Sequence, residues 1–161
     1  MTPVAVEAIE CLGGNGYVEE TPLARLYREA PLNGIWEGSA NVICLDALRA
    51  ITRSPGAFEA LANEIAAAPD PATRAIVDRA RKQLADAAGA ERDARAIVEA
   101  LAVAVQASLM RRYADASAAD AFAASRLEAA GRSGAFGAVA AVAHGAEAQA
   151  ILERVPQRIP G

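Results

Sequence analysis

Lysine is nearly missing from this chain of 161 residues: Lys82 stands alone beside fifteen arginines. Histidine is single (His144) and cysteine occurs twice, as Cys11 and Cys44. A catalytic or metal-binding histidine needs partners, and none of its own kind is present, so no metal site is expected. Two cysteines on different segments make neither a disulfide framework nor a metal-ligand set; a reducing cytoplasm and burial as small apolar residues are the expectations. Aromatic residues make up 4% of the chain, and long β-branched runs are missing, which excludes a sandwich or barrel. The N-terminus lacks the basic region and long apolar core of a secretory leader. The most apolar run, Ala96 to Met110, is interrupted by Glu99 and Gln106 and is too short to span a bilayer.

Alanine fills the gap, with 43 residues, and together with arginine and leucine it favours helix. Sixteen basic residues against twenty acidic leave a net charge of −4, so no general attraction to nucleic acid or anionic membrane is expected. The charge lies in residues 1–89, with 8 basic and 12 acidic groups; residues 90–161 are neutral.

Periodicity and punctuation predict an all-α protein, an antiparallel helical bundle. Expected helices cover Pro3–Leu12, Pro22–Ala30, Ala40–Thr52, Ala57–Ala68, Pro71–Ala88, Ala94–Tyr113, Ser117–Ala130 and Phe136–Arg154, with loops at Pro31–Ser39 and Gly131–Gly134. Gly13, Gly14 and Gly16 are expected to stop the first helix and Gly89 to stop the fifth. Asp70 reads as an N-cap, with Pro71 at the first helical position. Val42, Leu45, Leu48 and Ile51 form one expected buried row. Ile97, Leu101, Val105 and Leu109, at a strict four-residue step, form another. The Ser54-Pro55-Gly56 break separates a first segment, 1–53, from a helical extension, 54–161, expected to pack on it. An apolar fraction of 53% predicts exposed hydrophobic surface, suited to oligomerisation or partner capture.

Two patches are denser in unusual residues than helices require. In Gly13-Gly14-Asn15-Gly16-Tyr17, glycines let a ligand approach the backbone closely. They follow a helix rather than open one, so this is not the phosphate fingerprint of a βαβ unit, and the spacing alone favours a plain helix-ending turn. In Ile35-Trp36-Glu37-Gly38-Ser39-Ala40-Asn41, a glutamate stands beside two large apolar residues; desolvation by them would make its carboxylate a better base near neutral pH. The segment alone favours the alternative, an acid placed near a helix N-terminus, where the dipole stabilises it. Between the patches lies Leu26-Tyr27-Arg28-Glu29-Ala30. Tyr17 and Tyr27 suit a subunit interface or packing within the chain. The adjacent Arg111 and Arg112 suit phosphate contact or a solvated helix end.

Together and in this order, Leu-Gly-Gly-Asn-Gly-Tyr, Leu-Tyr-Arg-Glu and Ile-Trp-Glu-Gly-Ser-Ala-Asn resemble the C-terminal end of acyl-CoA dehydrogenases over about Thr2 to Arg53. The Trp-Glu-Gly-Ser form and the Ala/Arg-rich extension are similar to the AidB-like, alkylation-response branch. The resemblance implies a flavoprotein oxidoreductase that removes an α-proton and a β-hydride from an acyl-CoA thioester. By the resemblance, Glu37 is the base, Trp36 and Gly38 are substrate-binding, and Gly13, Gly14, Ser39 and Asn41 contact FAD, the glycines from a neighbouring subunit. Glu10 departs from the family, many of whose members carry glutamine there. The family's N-terminal helical and middle β domains are absent from these residues. The expectation is therefore a chain inactive alone, a homo-oligomer or one completed by another chain. The alternative is a non-catalytic helical module for oligomerisation, partner binding or DNA binding, the last an association of the branch.

Overall fold

The computed structural model describes residues 2–54, 56–127 and 145–155. Its elements are α1 (Thr2–Leu12), α2 (Gly14–Tyr17), α3 (Pro22–Glu29), a 3₁₀ segment (Ala30–Gly34), α4 (Ala40–Arg53), α5 (Ala57–Ala66), α6 (Pro71–Leu84), α7 (Ala87–Arg92), α8 (Ala94–Tyr113), α9 (Ala116–Arg126) and α10 (Ala146–Leu152). Among the described residues there is no strand, as the composition predicts. No helix among them is long and apolar enough to cross a membrane. His144, the 131–134 loop and the beginning of the last expected helix lie outside the described residues.

The chain divides into two compact units, Met1–Asp46 and Ala47–Gly161, the division falling inside α4. In the first unit, α1 packs against α2, α3 and the 3₁₀ segment. Gly13 stops α1 with φ +58°, a conformation that favours glycine. The chain then re-enters a single helical turn, α2, so Gly16 lies inside a helix and not at its end. Gly16 is buried, and a Cβ there would come 2.9 Å from the Ile9 carbonyl oxygen and 3.0 Å from its Cα. Glycine is what permits this backbone-to-backbone approach. Gly16→Ala is expected to cost about 1–3 kcal/mol by overpacking, read as a lowered denaturation midpoint. Gly34→Ala, whose added methyl meets open space, serves as the control and shifts it little.

In the second unit α8 is the hub, packing on α5, α6, α7 and α9, while α10 packs on α9. Asp70 caps α6 as its position predicts: its carboxylate accepts from the backbone N–H of Ala72 at 2.8 Å and of Thr73 at 3.2 Å. Asp115 does the same for α9, accepting from Ala118 N–H at 3.0 Å, and also pairs with Arg154 beyond α10. Ser108, buried in α8, donates to the Glu64 carbonyl of α5 at 3.1 Å. Arg81 of α6 reaches both oxygens of Glu59 on α5 and stacks over the Phe58 ring, 5.4 Å from its centroid.

Several expectations need correction. Gly89 does not stop a helix; α6 ends at Leu84, and Gly89 is buried within α7, where a Cβ would collide with the Asp86 carboxylate. Pro31–Gly34 is helical, because Pro31 opens a 3₁₀ turn as readily as it opens a loop. The buried face of α8 is Ile97, Leu101, Ala104, Ala107 and Ser108, with Val105 only half-buried and Leu109 39% exposed. A four-residue step advances about 400°, so each residue drifts about 40° off the face; three steps carry Leu109 out to solvent. Along α4 only Leu48 of the expected row is fully buried, and Val42 is exposed.

Candidate functional site

The first patch is a turn followed by a helix start. Gly13 N–H donates to the Glu10 carbonyl at 3.1 Å, and the Gly13 carbonyl accepts from Gly16 N–H at 2.9 Å. Gly14 is different in kind from its neighbours. Its φ is not positive, and a Cβ there would meet nothing within 4 Å. Neither its own backbone nor packing among the described residues requires glycine at that position.

The second patch is a tight corner leading into α4. Ile35 and Trp36 N–H groups both donate to the Leu32 carbonyl, each at 3.0 Å, and Gly38 N–H donates to the Ile35 carbonyl at 3.1 Å. Trp36 and Glu37 are the two middle residues of that last turn. Gly38 has φ +125°, strained for any side chain. The Ser39 carbonyl then accepts from Ile43 N–H at 3.0 Å and begins the ladder of α4, whose second residue is Asn41. Glu37, Gly38, Ser39 and Asn41 are thus gathered on one turn-to-helix corner. Trp36 is 66% exposed, and Ile35, Glu37, Ser39 and Asn41 are exposed as well. The partial desolvation of Glu37 by its apolar neighbours is not present, because a corner residue projects away from the helices that shape it.

Both patches belong to the unit of residues 1–46, whose α1 touches the 3₁₀ segment. That unit buries alanines, Ala24 and Ala30, but no large apolar side chain among the described residues. Leu12, Tyr17, Leu26, Leu32, Ile35 and Trp36 are among its exposed apolar residues, as the composition predicts. Tyr27 is exposed too, and so is Cys11, against the expectation of burial; Cys44 is half-buried.

Sequence reasoning did not find the ion pair that joins α3 to the turn after α2. Arg28 donates to both oxygens of Glu19, at 2.6 and 3.0 Å. These bonds hold the Glu19 carboxyl below, and the Arg28 guanidinium above, their ordinary pKa values. A lowered carboxylate value means that the pair's contribution is present above the ordinary glutamate range and is lost as pH falls through the Glu19 value. Opposite charges nine residues apart carry no periodic signal. The two arginines at the end of α8 are each engaged within the chain, Arg111 by Asp120 of α9 and Arg112 by Glu64 of α5. Neither is a bare cation awaiting phosphate. A groove of about 710 Å³ between α5 and α6, lined by Ala62, Ile65, Val77 and Arg74, was also not legible in the sequence.

Residues 1–52, which carry the Trp36-Glu37-Gly38-Ser39 corner and the glycine turn, match a family model described as acyl-CoA dehydrogenase, C-terminal domain. Over 59 residues the chain is 54% identical to the putative acyl-CoA dehydrogenase AidB of Escherichia coli (strain K12), covering 37% of this chain and 11% of that protein. It is 53% identical over 47 residues to acyl-CoA dehydrogenase family member 11 of Caenorhabditis elegans, 29% of this chain and 8% of that one. With the mitochondrial isovaleryl-CoA dehydrogenase of Oryza sativa subsp. japonica it shares 51% identity over 41 residues, 26% and 10% of the two chains. The chain thus spans about a tenth of the length of the curated relatives it matches. The resemblance read from the three motifs holds over residues 1–52, and the all-α fold agrees with it.

Proposed function

We propose that residues 1–46 present one portion of a flavin-dependent acyl-CoA dehydrogenase-type site, completed by protein surface beyond this chain's described residues, and that the chain alone does not turn over. The observation that carries this reading is Gly14, a glycine unexplained by its own φ or by any neighbour within 4 Å. Glycine costs up to about 1 kcal/mol relative to alanine in a helix interior, and Gly14 opens α2 with no conformational need for it. A glycine where nothing among the described residues needs one fits a group that approaches from outside. The exposed Ser39 hydroxyl and Asn41 amide add hydrogen-bonding capacity on the other patch, so the residues present fit a flavin nucleotide.

When bound, the flavin supplies the acceptor for the substrate's β-hydride. Glu37 takes the α-proton onto its carboxylate, which has no partner among the described residues to compete for it. A proton so weakly acidic needs a base held close and dry. The exposed corner lacks that dryness, so a covering surface must supply it. Trp36 forms part of the acyl wall, and Gly38 leaves room for the thioester. In this reading the exposed apolar residues of the unit are covered by a second copy or by another chain.

The test is titration with FAD, following the visible flavin band. The wild-type chain is expected to perturb it saturably. Gly14→Ala is expected to abolish the perturbation while leaving the helical content equal or slightly higher, because the methyl enters open space in a helix. No perturbation by the wild type, or an equal one by Gly14→Ala, overturns the reading. The exposed apolar surface also favours a second reading, a non-catalytic oligomerisation or partner-binding module; such a chain associates in sedimentation experiments yet leaves the flavin band unchanged.

A further inference from the structure

We propose that Arg28 is a positioning residue for the glycine turn: through Glu19 it clasps the loop after α2 to α3 and so fixes how Gly13 and Gly14 are presented. This rests on the reading of that turn as ligand-facing. The Leu26-Tyr27-Arg28-Glu29 motif carries no chemistry of its own in the site described above, yet its arginine binds Glu19, two residues past the end of the glycine motif. The two parallel bonds, 2.6 and 3.0 Å, fix direction as well as distance, as a single-point contact does not.

Glu19 sits in the Val18–Thr21 turn, closed by Thr21 N–H donating to the Val18 carbonyl at 3.4 Å, and two residues past Tyr17, where α2 ends. A single helical turn is too short to hold its own geometry. One anchor of α2 is Gly16 against Ile9. The Glu19–Arg28 clasp is a second, on the opposite side in sequence. Glu29, the carboxylate adjacent to Arg28 on α3, is bonded by Arg25 at 2.9 Å. Arg28 is thereby directed across the turn and not along its own helix. The Tyr17 hydroxyl and Glu29 are the other groups within electrostatic reach of its guanidinium. Both partners are exposed, with side chains 57% and 71% accessible, so the pair adds little to overall stability; its effect is local geometry.

Amide hydrogen exchange of the full chain tests this without any ligand. Gly13 and Gly16 N–H groups are both hydrogen-bonded within the turn. Arg28→Gln is expected to raise their exchange rates on the order of threefold or more, with amides of α5, α6 and α8 unchanged. The reciprocal swap, Glu19→Arg with Arg28→Glu, is expected to restore them, and Glu29→Gln to leave them at the wild-type rate. Unchanged exchange in Arg28→Gln, no recovery in the swap, or a uniform rise across the chain overturns the clasp. A parallel FAD titration separates the two readings: a flavin band that no variant and no wild type perturbs overturns the flavin reading only, and the exchange rates still decide the clasp.

Discussion

Ile97→Ala is expected to destabilise the second unit by about 3 kcal/mol, within the 2–5 kcal/mol range of large-to-small core changes, and to lower its melting midpoint on the order of 10 °C. Ile97 is 1% exposed and lies on α8, the helix that touches α5, α6, α7 and α9. Apart from Leu101, the other buried residues of that face are small: Ala94, Ala104, Ala107 and Ser108. Small residues draw backbones together, leaving little slack to collapse into a void, so the cavity persists and its cost is kept. Leu109→Ala is the control. On a strict four-residue step Leu109 belongs with Ile97, but it is 39% exposed, and its loss is expected to cost less than about 1 kcal/mol. Equal destabilisation by the two substitutions, read by thermal or denaturant unfolding, contradicts the face assigned to α8.

Glu37→Gln is expected to separate function from fold more sharply than any other substitution. Glu37 is exposed at a turn corner and has no partner among the described residues, so unfolding of the chain should change by no more than about 0.5 kcal/mol. In a flavin-loaded assembly that shows acyl-CoA-dependent acceptor reduction, the same change is expected to lower turnover by about 10²- to 10⁴-fold, the usual contribution of a positioned base. Glutamine keeps the shape of the side chain but replaces one acceptor oxygen by an NH2 donor and cannot take up the proton. Turnover within a few-fold of wild type removes Glu37 from the role of base.

Much of the fold is legible in the sequence where local chemistry is strong. Asp70-Pro71 marks the start of α6 because a carboxylate acceptor followed by proline suits a helix N-terminus and little else. Ala94–Tyr113 is helical over its whole expected length because nothing within it breaks the ladder. What is not legible is which alanine faces inward. Ala104 is fully buried and Ala102 is exposed, and a methyl group carries too little apolarity to mark a face. Gly89 is misleading for a related reason: glycine ends helices often, but here it makes room for the Asp86 carboxylate inside α7.

The site divides in the same way. The Trp36-Glu37-Gly38 corner and the Gly13-Gly14 turn stand out by residue type and order, and residues 1–52 match the acyl-CoA dehydrogenase C-terminal domain. The exposure of Trp36 and Glu37 does not follow from residue type, because desolvation depends on what covers a corner and not on its immediate neighbours in sequence. Gly16 and Arg28 escape for want of a pattern, since a close backbone approach and a clasp across a turn are tertiary facts.

In the proposed function, the glycine turn and the Ser39–Asn41 helix start contact the same nucleotide. Titrating the ¹⁵N-labelled chain with FAD and following its backbone amides tests it most directly. Saturable shifts of Gly13, Gly14, Ser39 and Asn41 with a common midpoint, lost together in Gly14→Ala, are the expected result. Shifts confined to one patch, or confined to the α5–α6 groove, or unaffected by Gly14→Ala, contradict it.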